Sequence, residues 1–243
     1  MRSAGRIAAA ARQEAGRMVA VGATTQSINI MVHDFIISQG ATPAFLNYNG
    51  FPASVCISVN EQIIHGIPSS RILSHGDAVS IDVGAAKGGF IGDCAETFIA
   101  GSGSTETERL IEVTRECFFE GLRFARVGFR ISDISRAIQR HAEANGYTVV
   151  REYVGHGVGR SMHEPPEVPN FVETPRKRAD PRLFPGMTIA IEPMVNAGRA
   201  DIRILDDGWT VVTFDGRPSA HYENTILITE DEPEILTVCE GMP

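Results

Sequence analysis

The chain has 243 residues, 43% hydrophobic and 21% charged, the balance of a well-packed globule rather than of a disordered segment. Its net charge of −8 argues against broad nucleic-acid binding, and so against a DNA partner, because that function needs a basic footprint. No apolar run reaches membrane-spanning length, and Cys56, Cys94, Cys117 and Cys239 make neither a Cys-x-x-Cys pair nor a disulfide framework, so a reduced cytoplasmic protein with no membrane partner is expected.

Residues from about Arg2 to Val19 are good helix formers and predict a first helix. The same stretch has no acid before Glu14 and could pass for a mitochondrial transit peptide; the helix is the favoured reading. Thr24 or Thr25 can cap a second helix running to about Ser38. The Pro-, Asn- and Gly-containing stretch from Gly40 to Ser54 reads as loop. Short strands are expected from Val55 to Val59 and from Gln62 to His65. Apolar β-type runs from Ala78 to Ala86 and from Phe90 to Ile99 flank Lys87-Gly-Gly89, a hairpin signal. Helices follow from Thr105 to Arg126 and from Ile131 to Asn145, then a β-type run from Gly146 to Val154 and a polar loop from Asn170 to Pro185. Met187 to Asn196, Thr210 to Phe214 and Tyr222 to Thr229 read as strands.

Helices, strands, helices and strands in that order predict an α+β fold with a mainly antiparallel sheet. No composition break marks a linker, so residues 1–243 are expected to form one domain. The ααβ-ααβ order hints at two related halves.

Five residues form a metal-ligand set: Asp82, Asp93, His156, Glu192 and Glu223. Four carboxylates carry about −4 when ionised. Two divalent cations cancel that charge, and oxygen-plus-imidazole donors suit Mn, Fe, Co or Zn. A pair of such ions is a common device for displacement at a carbonyl or phosphorus.

If the hairpin turns on Lys87-Gly88, Asp82 and Asp93 face each other directly, with Cβ atoms roughly 4.5–5.5 Å apart. If it turns on Gly88-Gly89, Asp82 faces Ala95 instead. The bland alternative, two solvated aspartates, is disfavoured by the apolar run Val79-Ser-Ile-Asp-Val83. Glu192 and Glu223 also lie in buried-looking strands, where a lone charge is costly. Ion pairing with Arg199 or Arg203 explains one of these glutamates but not both.

His156 is flanked by Gly155, Gly157 and Gly159, which permit close approach of a ligand. The glycine string does not open a helix in a βαβ unit, so phosphate binding is rejected. His65 and His163 sit beside Gly or Pro in what read as rigid loops, where catalytic side chains are often found. His33 and His141 lie on predicted helices and read as surface or packing residues, and His75 lies in a turn.

These motifs, in this order, resemble the type I methionine aminopeptidases of the pita-bread metallopeptidase superfamily. The matching stretches are Asn47 to Ser58, Ile64 to Pro68, Ile81 to Phe98, Gly155 to Arg160 with His163-Glu164, Ile191 to Asn196, and Asp207 to Thr210. The resemblance implies the pita-bread (creatinase/aminopeptidase-like) fold: a curved, mainly antiparallel sheet covered by two pairs of helices, with pseudo-two-fold halves. It implies that Asp82 chelates one ion, that His156 and Glu192 hold the other, and that Asp93 and Glu223 bridge both. Glu192 is implied as general base toward the attacking water, His163 as the residue that stabilises the substrate carbonyl, and His65 as the group near the scissile amide nitrogen. Tyr48, Phe51, Cys56, Met162 and Trp209 are implied as the methionine pocket, since a thioether binds well among aromatic and soft atoms.

The implied function is removal of the initiator methionine from nascent polypeptide N-termini when the second residue is Gly, Ala, Ser, Thr, Cys, Pro or Val. Asn224 stands where the family often has His, and should point to the strand face opposite Glu223. Phe45 and Met162 vary the pocket lining. The loop from Glu173 to Pro185 carries Arg176, Lys177 and Arg178 and offers a surface for transient ribosome association, although a solvated loop is the favoured reading. A minimal, monomeric catalytic form without a zinc-binding extension is expected. The rivals are a proline-directed aminopeptidase or prolidase of the same fold, and a metal-free binding module on this scaffold. The first usually carries an additional N-terminal domain; the second typically loses ligands.

Overall fold

The structure, a computed structural model, describes residues 1–173 and 179–239. Four long helices flank antiparallel strands: α1 (Arg2–Arg17), α2 (Thr25–Ser38), α3 (Thr105–Leu122) and α4 (Ile131–Ala144). Every strand pair given for the described residues is antiparallel. None of the described helices is long and apolar enough to cross a membrane. The basic residues Arg176, Lys177 and Arg178, on which the ribosome-docking expectation rests, lie outside the described residues.

In the first half, α1 and α2 cover the hairpin of Ala78–Lys87 and Phe90–Ile99. The inner face of α1 is Ala4, Ala8, Ala11 and Ala15, all fully buried. Small side chains at this spacing let the helix axis approach the sheet closely. The approach is tight enough that a Cβ on Gly92 of the hairpin would fall 2.5 Å from the Gly5 Cα of α1. The Thr24 hydroxyl caps α2 by accepting from the Ser27 amide at 3.1 Å. In the second half, α3 and α4 place Leu110, Val113, Phe118, Ile134 and Ile138 against Ile189, Ile191, Val195 and Ile226. Full burial of each such side chain stabilises the fold by roughly 1.5–3 kcal/mol. The two ααβ halves thus each own a core.

The hairpin register corrects the direct pairing of the two aspartates. Lys87 pairs with Phe90, so the two-residue turn is Gly88-Gly89, with φ of 60° and 77°. A tight hairpin turn of this type needs positive φ at both central residues, which glycine supplies and Lys87 would resist. Asp82 therefore faces Ala95, and Asp93 faces Gly84. The two aspartates are diagonal neighbours on one face, still within reach of each other.

Other expected strands divide where the site needs them to. The run from Met187 to Asn196 breaks into Thr188–Ile191 and Met194–Asn196, interrupted at Glu192-Pro193; proline cannot donate to a ladder. The run from Tyr222 to Thr229 reduces to Asn224–Leu227, preceded by Ser219–His221. The run from Gly146 to Val154 keeps only Thr148–Val149. Gly155–Gly157, which the sequence did not mark as a strand, joins a five-stranded sheet between Thr188–Ile191 and Glu164–Val168.

Candidate metal centre and substrate pocket

A cavity of about 370 Å³ opens where the two halves meet. Asp82 and Asp93 enter it from the hairpin, His156 from Gly155–Gly157, and Glu192 and Glu223 from the two strand breaks. All five expected ligand residues therefore reach one cavity. Asp93, His156 and Glu223 can each offer a ligand atom within 4.8 Å of the others. His156 Nε2 lies 3.4 Å from Glu192 Oε1 and 3.8 Å from Asp93 Oδ2. His156 Nδ1 lies 2.9 Å from the Gly157 carbonyl. Donation of Nδ1–H to that carbonyl turns the Nε2 lone pair toward the carboxylates, the usual arrangement of a ligating histidine.

The electrostatics of these acids call for a cation. Burial pushes Asp82, Glu192 and Glu223 well above the usual carboxylate range, and neighbouring Asp93 adds to each shift. Burial lifts Asp93 to about 7. Burial also lowers His156 to about 4, helped by nearby His163. Asp82 Oδ1, Asp93 Oδ1 and Glu223 Oε1 are buried without hydrogen-bond partners among the described residues. Neither Arg199 nor Arg203 relieves them: Arg199 pairs with Asp201 at 2.8 Å, and Arg203 lies on the exposed strand Ile202–Ile204. Orphaned carboxylate oxygens around a neutral imidazole are a donor set for a divalent first-row cation, and the residues fit such an ion.

Beside the carboxylates the wall turns apolar. Phe45, Phe51, Cys56 and Met162 form one buried cluster, with Tyr48 and Trp209 packed against it. Phe51 and Trp209 meet edge-on at 5.2 Å between ring centres. Asp207 fixes the turn that presents Trp209, since its Oδ1 accepts from the Trp209 and Thr210 amides at 2.8 Å each. Trp209 is thus half-buried on the cavity wall rather than in a core. Burial, reinforced by Asp82, pushes the Cys56 thiol well up, which leaves it a soft wall atom and no nucleophile.

His163 and His65 line the same cavity, His163 from its exposed side. His163 Nδ1 lies 2.7 Å from the Tyr48 hydroxyl, and its ring lies 4.3 Å from the His156 ring. His65 holds φ of 58°, an uncommon conformation for a residue with a side chain and one that concentrates at functional sites. Its ring packs edge-on to Tyr153 and Trp209. Burial lowers His65 to about 4, with His163 contributing.

Tyr153, which lines the cavity, escaped the sequence reading, as did two residues packed behind the cavity, His221 and Arg12. His221 is 2% exposed, and its Nε2 lies 3.7 Å from Glu192 Oε2. Its spacing of two from Glu223 was the available signal, since alternate strand residues share a face. Arg12 of α1 is buried behind the site, with Nη1 donating to the Ala95 and Glu223 carbonyls and to Asn224 Oδ1. Asn224 does face away from the cavity, toward Arg12 and Thr237.

The model of metallopeptidase family M24 matches residues 1–230. A methionine aminopeptidase of Clostridium perfringens is 52% identical over 98% of this chain and 94% of its own length. The chain belongs to metallopeptidase family M24 and, within it, to the methionine aminopeptidases. Methionine aminopeptidase 1 of Bacillus subtilis is 49% identical over 98% of this chain and 94% of its own. The crystal structure of the Thermotoga maritima methionine aminopeptidase superposes with a TM-score of 0.94 at 41% identity, covering 98% of this chain and 94% of that one. A prolidase of Pyrococcus furiosus shares the fold at a TM-score of 0.77 and 24% identity, with 98% of this chain covering 63% of it. M24 members are metallopeptidases of the pita-bread fold, and the two ααβ halves found here are that fold.

Proposed function

We propose that residues 1–243 form a single catalytic domain that removes the N-terminal methionine of new polypeptides when the second residue is small. The observation that carries this reading is the joining of five ligand-type side chains and an aromatic, sulfur-lined wall in one cavity. Two divalent ions held by Asp82, Asp93, His156, Glu192 and Glu223 would supply Lewis-acid activation of water and of the scissile carbonyl. Co, Mn, Fe and Zn all suit these donors.

The methionine side chain enters between Phe45, Phe51, Cys56, Met162 and Trp209. Its carbonyl comes to the side of the cavity where His163 stands. The Tyr48 hydroxyl lies 2.7 Å from His163 Nδ1; with the tyrosine as donor, Nε2–H is left as the donor toward the developing oxyanion. Glu192 takes the proton of the attacking water on its carboxylate and returns it to the leaving amine. His65 lines the cavity by the scissile nitrogen. The rings of Tyr48, His65, Tyr153 and His163 crowd the exit from the pocket, which favours a small second residue.

The test is mass-spectrometric cleavage of Met-Ala-Ser, Met-Lys-Ser, Leu-Ala-Ser and Ala-Pro-Ser with Mn or Co, with and without chelator. Chelator-sensitive loss of methionine from Met-Ala-Ser alone is expected. Cleavage of Ala-Pro-Ser would move the chain to the proline-directed branch of the fold. No cleavage of any peptide with metal bound would leave a binding role.

A further inference from the structure

His221 lies on the short strand Ser219–His221, and its main chain is held on both sides. The Thr97 hydroxyl donates to the His221 carbonyl at 2.9 Å and accepts from the His221 amide at 2.9 Å. Across the strand His221 pairs with Met194, just past the Glu192-Pro193 break. The imidazole is therefore placed by two independent elements. Yet neither ring nitrogen has a hydrogen-bond partner among the described residues, although the side chain is 98% buried, being 2% exposed. A buried imidazole without partners is destabilising, because its desolvation goes uncompensated. A fold that needed only bulk here would do better with leucine.

The Glu192 carboxylate lies beside the ring. Its two oxygens face different imidazoles: Oε1 lies 3.4 Å from His156 Nε2, and Oε2 lies 3.7 Å from His221 Nε2. A carboxylate that both binds an ion and takes a proton must keep its two oxygens distinct. We propose that His221 is a positioning residue for Glu192, its Nε2–H directed at Oε2, so that the rotation of the carboxylate that would hold an ion is fixed. The inference rests on Glu192 being a metal ligand and base. It adds a buried imidazole, outside the five-ligand set, that tunes metal binding and turnover from behind the ligand.

Three variants separate this role from packing. His221→Leu removes the donor and fills the space, His221→Gln restores a donor of similar reach, and His221→Asn keeps a polar group too short to reach Glu192. The metal-free proteins are melted, then titrated calorimetrically with Mn alone, and their kcat and KM are measured on Met-Ala-Ser. The Leu and Asn variants should bind Mn about 10–100-fold more weakly, the usual effect of removing a partner behind a metal ligand. Their kcat should fall while KM holds, and the Gln variant should stay near the parent in both. The metal-free Leu variant should melt no lower than the parent, because it discards two orphaned nitrogens. Parental Mn affinity and kcat in either the Leu or the Asn variant overturn the proposal. So does a loss of affinity that merely tracks a lower metal-free melting temperature, which marks a packing role. A parent that takes up no Mn overturns both this inference and the reading of the site beneath it.

Discussion

Ala95 and Glu223 exchange both backbone hydrogen bonds, at 3.2 and 2.8 Å, across the junction between the two halves. The rungs beside this pair are closed by hydroxyls. The Thr225 hydroxyl donates to the Asp93 carbonyl and accepts from its amide, and the Thr97 hydroxyl does the same for His221. The strand carrying Asp93 and the segment carrying Glu223 are therefore locked in one register. Their carboxylates converge because 93, 95 and 97 stand opposite 225, 223 and 221.

Arg12 closes this junction from the α1 side. Its Nη1 reaches the carbonyls of both Ala95 and Glu223 as well as Asn224 Oδ1, and its Nε lies 3.5 Å from Glu96. Hydrogen bonds from a charged donor are worth about 1.5–3 kcal/mol each. Arg12→Met should lower unfolding stability by at least about 2 kcal/mol in urea melts. It should also weaken metal binding, because the rung beneath Glu223 loosens. A variant of parental stability would remove the brace.

Tyr48 holds more than pocket wall. Its hydroxyl lies 2.7 Å from His163 Nδ1, and as a donor there it would fix the ring proton on Nε2, the tautomer the proposed role needs. Burial lowers the His163 pKa, so the ring is neutral and the tautomer matters. Tyr48→Phe should reduce kcat on Met-Ala-Ser about five- to tenfold, the kinetic equivalent of roughly one hydrogen bond. The fold should be unchanged by circular dichroism. An unaltered kcat would show that His163 needs no such partner.

Much of the site was legible because its ligands sit in runs too apolar to carry a bare acid. Val79-Ser-Ile-Asp-Val83 is such a run, and the diglycine at 88 and 89 announced the hairpin. The register was not legible, since it turned on whether Lys87 or Gly89 occupies the turn, a one-residue difference that moves every cross-strand partner. The breaks at Glu192-Pro193 and Tyr222-Glu223 were hidden inside continuous apolar runs. They are tertiary features: each lets a carboxylate leave its strand toward the cavity. Arg12 was unreadable for a related reason. Its partners are main-chain carbonyls some 80 to 210 residues away, and carbonyls leave no trace in a sequence.

Gly84 stands opposite Asp93 and under the methionine pocket. A Cβ there would lie 2.6 Å from Phe45 Cε1 and 3.0 Å from Met162 Cε. Overpacking of this kind costs about 1–3 kcal/mol, and here the ring that must yield is pocket wall. Gly84→Ala should raise KM for Met-Ala-Ser several-fold more than it lowers kcat, and should depress the melting temperature. Parental KM would place the methionine side chain elsewhere.

Metal-free protein should lose stability as pH rises above neutrality. The four buried acids have folded pKa values above their unfolded ones, Asp93 at about 7 and Asp82, Glu192 and Glu223 also well raised. Folding therefore takes up protons between the unfolded carboxylate values near 4 and these folded values, and stability falls with pH over that window. The histidines oppose this trend at lower pH. His65 and His156 are held at about 4 and His221 at about 3, so their contribution rises with pH and is complete near 6.5, the unfolded histidine value. Above that point only the acids still titrate, and the slope should be downward. Saturating Mn should flatten or reverse it, since an ion binds the ionised carboxylates and stabilises the folded state by mass action. Thermal melts of chelated and Mn-loaded protein from pH 6.5 to 8.5 test this, and a chelated protein that gains stability across that range would show that these carboxylates are not held together in the folded state.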